Sequence, residues 1–261
     1  MTTCCRTDDE AWCHADNVST KRTRLRGALV LQWRLIRKMT LIDPEVVADW
    51  CARHPLALPV LYRRHIDASD PVRTLAACCE ELGAEVEPLI AEVAASERAL
   101  VAPWQARMPA ELIDHVIRAY HRRFEPEVDA LDAAIAAVPA PAGERADAAR
   151  RALRDLVAEL RDDMVQHMMK EERVLFPWLR ERPCTAAVPI RAMQLEHADT
   201  LGLLHDLKAT GRRWQSADAG GHGTTGVTRA LDLVVDRLCE HIHLESNELF
   251  PRALDAAGPP R

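Results

Sequence analysis

Aromatic side chains and glycine are scarce in this chain, whose 261 residues include three Phe, two Tyr and ten Gly. Few segments alternate apolar and polar residues as a half-buried strand does, while Ala and Leu abound, so an all-α class is predicted. No apolar run approaches the roughly 20 residues that span a bilayer as a helix. The start lacks a basic region leading into an apolar one, since Asp8, Asp9 and Glu10 stand there, and no secretory leader is expected. The eight cysteines contain no C-x-x-C pair and the chain is too long for a small disulfide scaffold, which fits a reducing, cytoplasmic setting. Positive charge is not in excess either. A formal charge of −6 argues against a general nucleic-acid binder, whose Lys and Arg must neutralise many phosphates.

The chain divides by composition. Residues 1–38 read as a loosely ordered extension, polar at first and then basic, with seven Lys or Arg and no acid from Lys21 to Lys38. Residues 39–98 read as a small helical domain, entered at Asp43-Pro44 and punctuated by Pro55, Pro59, Pro71 and Pro88. Over 105–257 the pattern changes to four long helices, roughly 109–138, 145–181, 187–213 and 225–255. Val138-Pro-Ala-Pro-Ala-Gly143, Arg182-Pro183 and the Gly- and Thr-rich run from Ala217 to Gly226 separate them. Short links favour antiparallel neighbours, so the arrangement expected is an up-down-up-down four-helix bundle.

Two segments of that bundle repeat each other in register: His167-Met-Met-Lys-Glu171-Glu-Arg-Val-Leu-Phe-Pro177 and His241-Ile-His-Leu-Glu245-Ser-Asn-Glu-Leu-Phe-Pro251. In each, a His and a Glu four residues apart share one helix face, where both can grip one metal centre. A lone H-x-x-x-E pair is more often a solvated helix face. These pairs, however, interrupt apolar stripes: Leu153, Val157, Leu160 and Met164 lead into His167 and Glu171, and Leu231, Val234 and Leu238 lead into His241 and Glu245. An ionised carboxylate in a bundle core costs several kcal/mol unless paired or bound to a cation.

The other two helices add one His each. His197 lies in the stripe of Ile190, Met193, Leu201 and Leu204, and His115 lies in that of Leu112 and Ala119. Singly, either is more often a hydrogen-bonded core histidine. Together the six side chains offer four nitrogens and two bridging carboxylates, a set for two metal ions of the iron, zinc or manganese type with positions left open for a small ligand. His121 and His243 fall elsewhere on their helices and are expected in solvent. His205 lies two turns beyond His197, and His222 sits in a glycine-rich loop.

These residues resemble the hemerythrin-like proteins, and within them the di-iron proteins that repair iron centres. The likeness runs from about 105 to 255 on Leu112-Ile-Asp-His115, His167-Met-Met-Lys-Glu171-Glu with Leu-Phe-Pro, Glu196-His197, and His241-Ile-His-Leu-Glu245 with Leu-Phe-Pro. It implies two oxo- or hydroxo-bridged non-haem irons, with His115, His167, His197 and His241 as terminal ligands and Glu171 and Glu245 as bridges. Oxygen carriers of the family add a fifth His and an Asp where this chain has Leu201 and Ser246, so the centre is closer to the repair proteins. Asp163 and Glu196 are placed as helix-surface acids with a supporting role as the alternative.

The functions implied are defence against nitrosative and oxidative stress, by iron–sulfur cluster repair or by reaction with nitric oxide. A sensor of iron or of a diatomic gas, or a peroxide-consuming di-iron enzyme, are the alternatives. The partners implied are nitric oxide, dioxygen or peroxide and iron–sulfur proteins, with room for a homodimer and none for a membrane or nucleic acid. The family's N-terminal Cys-Cys pair is missing from His65-Ile-Asp-Ala-Ser-Asp70. Cys78-Cys79 follows about ten residues on, in a helical setting where thiols pack as small core residues.

Overall fold

The computed structural model describes residues 46–66, 72–139, 143–181, 186–217 and 224–257. The extension expected at 1–38, with Cys4, Cys5 and Cys13, lies outside the described residues, as does His222. Among the described residues the structure is helical and has no strand beyond one isolated bridge between Val46 and Thr74.

Four short helices come first: α1 (Val47–Arg53), α2 (Ala57–Arg63), α3 (Leu75–Glu81) and α4 (Val86–Val101). Thr74 caps α3 by accepting the Ala77 N–H at 3.1 Å, satisfying one of the donors a helix start leaves free. The long rods follow. α5 comprises Pro109–Val116, a wide turn Ile117–His121 and Arg122–Ala137. α6 comprises Glu144–Lys170, a wide turn Glu171–Leu175 and Phe176–Glu181. α7 is Ala187–Ala217 without interruption, and α8 comprises Thr225–Leu244, a wide turn Glu245–Leu249 and Phe250–Ala257.

Contacts between the rods fix their directions. Thr200 on α7 meets Met164 on α6 at 3.5 Å, and three residues earlier on α7 His197 meets His167, three residues later on α6. Arg161 reaches Asp129 and Asp132 on α5, while farther along α6 Glu172 meets Arg122, nearer the start of α5. Neighbours are therefore antiparallel, as the short links require.

Apolar residues at spacings of three and four bury one stripe of each rod. Leu153, Val157, Leu160 and Met164 on α6 and Leu231, Val234 and Leu238 on α8 are all buried. The same core runs on into Trp50, Leu58, Leu61, Cys78 and Cys79, so among the described residues the helices expected as a separate domain share one core with the bundle. Cys78 and Cys79 are buried within that core, and burial pushes the nearby Cys51 thiol up to about 12.

Three of the four rods share one local irregularity. Arg122, Phe176 and Phe250 each donate their N–H to the carbonyl five residues back, on Ile117, Glu171 and Glu245. Such π turns insert one residue and shift the phase of everything after them. Pro177 and Pro251 stand two residues beyond their turns, and Pro126 five residues beyond the first. A helical proline cannot bond the carbonyl four residues back and its ring crowds that carbonyl, so a widened turn relieves the Leu-Phe-Pro ends of the repeat.

Candidate metal centre

The π turns position the polar core. Glu171 and Glu245 open two of them, and His121 closes the third. Two groups of four side chains result: His121, Glu171, His241 and Glu245, and His167, Glu171, His197 and Glu245. Within each group one donor atom from every residue lies within 4.8 Å of the others, and all six residues are buried.

Both carboxylates belong to both groups. Glu171 presents Oε1 to His167 Nε2 at 3.4 Å and Oε2 to His121 Nε2 at 3.4 Å and His241 Nε2 at 3.7 Å. Glu245 Oε2 lies 3.0 Å from His241 Nε2 and 3.2 Å from His197 Nε2. The histidines pair across the bundle, with Nε2 atoms 3.3 Å apart for His121 and His241 and 3.1 Å apart for His167 and His197.

The outward Nδ1 atoms are held from outside this cluster. His121 bonds Glu172 at 3.1 Å, His167 bonds Glu196 at 2.9 Å and His197 bonds Ser246 Oγ at 2.9 Å. An outer partner of this kind fixes the tautomer and aims the lone pair of Nε2 inward. Only His241 Nδ1 lacks one among the described residues.

The electrostatics show what the cavity wants. Both glutamates are fully buried, and none of their four oxygens has a hydrogen-bond donor in bonding geometry. Burial works against their charge, yet His167 holds Glu171 low, and His241 holds Glu245 low against the repulsion of Glu171. Burial lowers His167 and His241 too, but is outweighed by Glu171 for the first and Glu245 for the second, so they rise to about 10 and about 9. His197 goes down, through burial and beside His167. Two carboxylates with no donor bonded to their oxygens and four converging imidazoles fit cations better than protons, because buried charge is tolerated only when it is paired or coordinated.

Sequence spacing brought together five of these six residues and misplaced the sixth. His115 lies outside the cluster, half-buried beneath the Trp104 ring at 4.4 Å between centroids. His121, expected in solvent, takes the inner position at 7% exposure. The π turn is the reason: the core-facing row on α5 runs from Val116 by a step of five to His121, then by threes and fours through Phe124, Val128, Leu131 and Ile135. Following that row backward from Ile135 leads to His121, a signal present in the sequence. His243 is also buried rather than solvated, at 4%, and accepts a hydrogen bond from Asn247 at 2.9 Å. Burial, then His54, brings its pKa down to about 4. Glu196, expected as a surface acid, instead supports His167.

An antiparallel helical bundle with two carboxylates shared between two histidine pairs at its core is a cation-binding bundle of the hemerythrin type. The chain belongs to the hemerythrin family, whose HHE cation binding domain matches residues 112–253. Among its relatives is the iron-sulfur cluster repair protein YtfE of Citrobacter koseri, 32% identical over 188 residues that cover 70% of this chain and 83% of the relative. The proteins of the same name from Escherichia coli and Cronobacter sakazakii are each 31% identical over the same shares. Among the described residues no helix is long and apolar enough to cross a membrane.

Proposed function

We propose that this chain is a di-iron protein of nitrosative and oxidative stress defence that repairs damaged iron–sulfur clusters. The observation that carries the reading is the sharing of Glu171 and Glu245 between two histidine pairs, which suits two adjacent metal ions. Imidazole with carboxylate donors is compatible with iron, zinc or manganese. The relatives named for iron–sulfur cluster repair favour iron.

His121 and His241 would hold one iron, His167 and His197 the other, with the two glutamates bridging. Bound iron supplies redox chemistry and open positions for nitric oxide, dioxygen or peroxide. The protein's own part is to exclude water and orient the donors. Leu112, Val116, Phe176 and Phe250 are buried on the same rods as the donors, and Glu172, Glu196 and Ser246 fix three of the four rings. Its partners in this reading are iron–sulfur proteins.

Metal analysis of anaerobically purified protein tests the reading. Iron near two equivalents per chain is expected, falling sharply in Glu171→Ala and Glu245→Ala with helicity retained. Zinc alone, or iron content unchanged by both substitutions, overturns it.

One observation favours a sensing module as the second reading. Asn247, in the π turn that starts at Glu245, bonds both His243 and the carbonyl of Arg53 at the end of α1, which ties the small helices to a donor-bearing turn. Stoichiometric nitric oxide binding without turnover or cluster repair would select that reading.

A further inference from the structure

Aromatic rings are few, yet several line up on the metal centre. The Trp104 ring lies 4.4 Å from that of His115, His115 stands edge-on to Tyr120 at 5.7 Å, and Tyr120 stacks on His241 at 5.8 Å and 16°. Exposure rises along the row, from none at His241 and 5% at Tyr120 to half-buried His115 and Trp104. The Arg107 guanidinium covers the Trp104 ring at 5.6 Å.

Tyr120 also has a place to put a proton. Its hydroxyl donates to Glu240 Oε2 at 3.2 Å, and Arg237 Nη1 lies 3.5 Å from that oxygen. A tyrosine stripped of an electron alone would be a buried cation with the Arg237 guanidinium 5.8 Å over its ring. Passing the proton to Glu240 avoids that charge.

We propose that Trp104, His115 and Tyr120 form a one-electron relay between the protein surface and the metal centre, ending on His241. The inference rests on the di-iron reading above. Electron tunnelling falls off steeply with distance, and the row keeps every gap near ring contact.

Each passage moves one electron inward. Tyr120 gives an electron to the centre once peroxide has oxidised it beyond the ferric state, while the tyrosine O–H bond breaks and the proton forms an O–H bond on Glu240. Trp104 then returns an electron through His115, which bridges without being oxidised, and the proton goes back to the phenolic oxygen. The indole cation is reduced by a one-electron donor in solution, of the reduced-flavin or iron–sulfur class. The donor loses one electron, the centre gains one, and no proton is released. The relay gives His115, which lies outside both groups of converging donors, a role.

The test uses the full-length, iron-loaded protein. Reduced flavin mononucleotide is mixed with protein freshly oxidised by hydrogen peroxide, and the return of the iron absorbance to its ferric spectrum is followed by stopped flow. Trp104→Phe and Tyr120→Phe are each expected to slow reduction by about tenfold or more, with iron content and circular dichroism unchanged. In a second arm, hydrogen peroxide is added to the reduced protein, which is then freeze-quenched for electron paramagnetic resonance. A radical that changes on ring-deuteration of tyrosine is expected; it is absent in Tyr120→Phe, diminished in Glu240→Gln and longer-lived in Trp104→Phe. Wild-type reduction rates in both ring variants, or no tyrosine radical, overturn the relay. A protein that binds no iron overturns the di-iron reading instead.

Discussion

Glu196 accepts a hydrogen bond from His167 Nδ1 at 2.9 Å while its other oxygen takes Lys170 Nζ at 2.6 Å. Burial raises this carboxyl, but His167 and Lys170 together hold it below the usual range, so it stays ionised and pulls on the ring. Removing such an outer partner typically costs a metal site 10- to 100-fold in affinity. Glu196→Gln is therefore expected to weaken iron binding by about that factor while the bundle remains folded. Competition against a coloured chelator measures it, and an unchanged affinity would show that the contact is incidental.

The exchange of His115 for His121 gives a sharper prediction. His121→Ala removes one of four converging nitrogens and should abolish binding of one iron. His115→Ala should leave the iron content at the wild-type level, since among the described residues His115 lies outside both converging groups and its ring contacts are with Trp104 and Tyr120. Iron analysis of the two variants side by side decides, and the reverse pattern would mean the α5 register is misassigned.

Most of the fold was legible because periodicity and link length are local properties. The rods expected at 145–181 and 225–255 agree with the described helices to within two residues, since Gly143, Arg182-Pro183 and the run up to Gly226 punctuate the sequence there. Glu171 and Glu245 stood out because a carboxylate inside an apolar stripe is costly. His121 was missed because the reading assumed 3.6 residues per turn throughout α5, whereas Ile117–His121 holds an extra residue. His243 was missed for a different reason. Its shelter includes Glu97 on α4, 3.6 Å away, and contacts between distant segments leave no trace in helical spacing.

The two Phe residues of the repeat should matter for stability as well as for the site. Phe250 is fully buried and stacks on His197 at 5.9 Å and 6°, and Phe176 stacks on His121 at 5.6 Å. Truncating a buried Phe to Ala costs about 3–5 kcal/mol through lost transfer energy and the cavity left behind. Phe250→Ala is expected to lower the unfolding free energy of metal-free protein, measured by urea titration, by that amount, and Phe250→Leu by clearly less. Equal losses for Ala and Leu would mean that the site collapses around neither.

The stability of metal-free protein should depend on pH in a way that metal loading reverses. His167 and His241 rise from an ordinary 6.5 to about 10 and about 9 in the folded chain. A raised group stabilises fully below its unfolded pKa and loses that contribution as pH climbs to its folded one. The carboxyls of Glu171 and Glu245 are lowered from 4.5, so their contribution is complete above that value and fades as pH falls beneath it. His243 and His197 are lowered from 6.5, so their contributions also fade as pH falls below that value, and metal-free protein should melt highest near pH 6.5 and lower on either side. Iron competes with the protons on His167 and His241, so its binding releases protons and tightens as pH rises. The gap in melting temperature between loaded and metal-free protein should therefore widen from pH 6.5 to 9, as calorimetric scans at fixed ionic strength will show. A metal-free melting temperature that climbs over that window would mean the two histidines are neutral in the folded chain, and that Glu171 and Glu245 are balanced some other way.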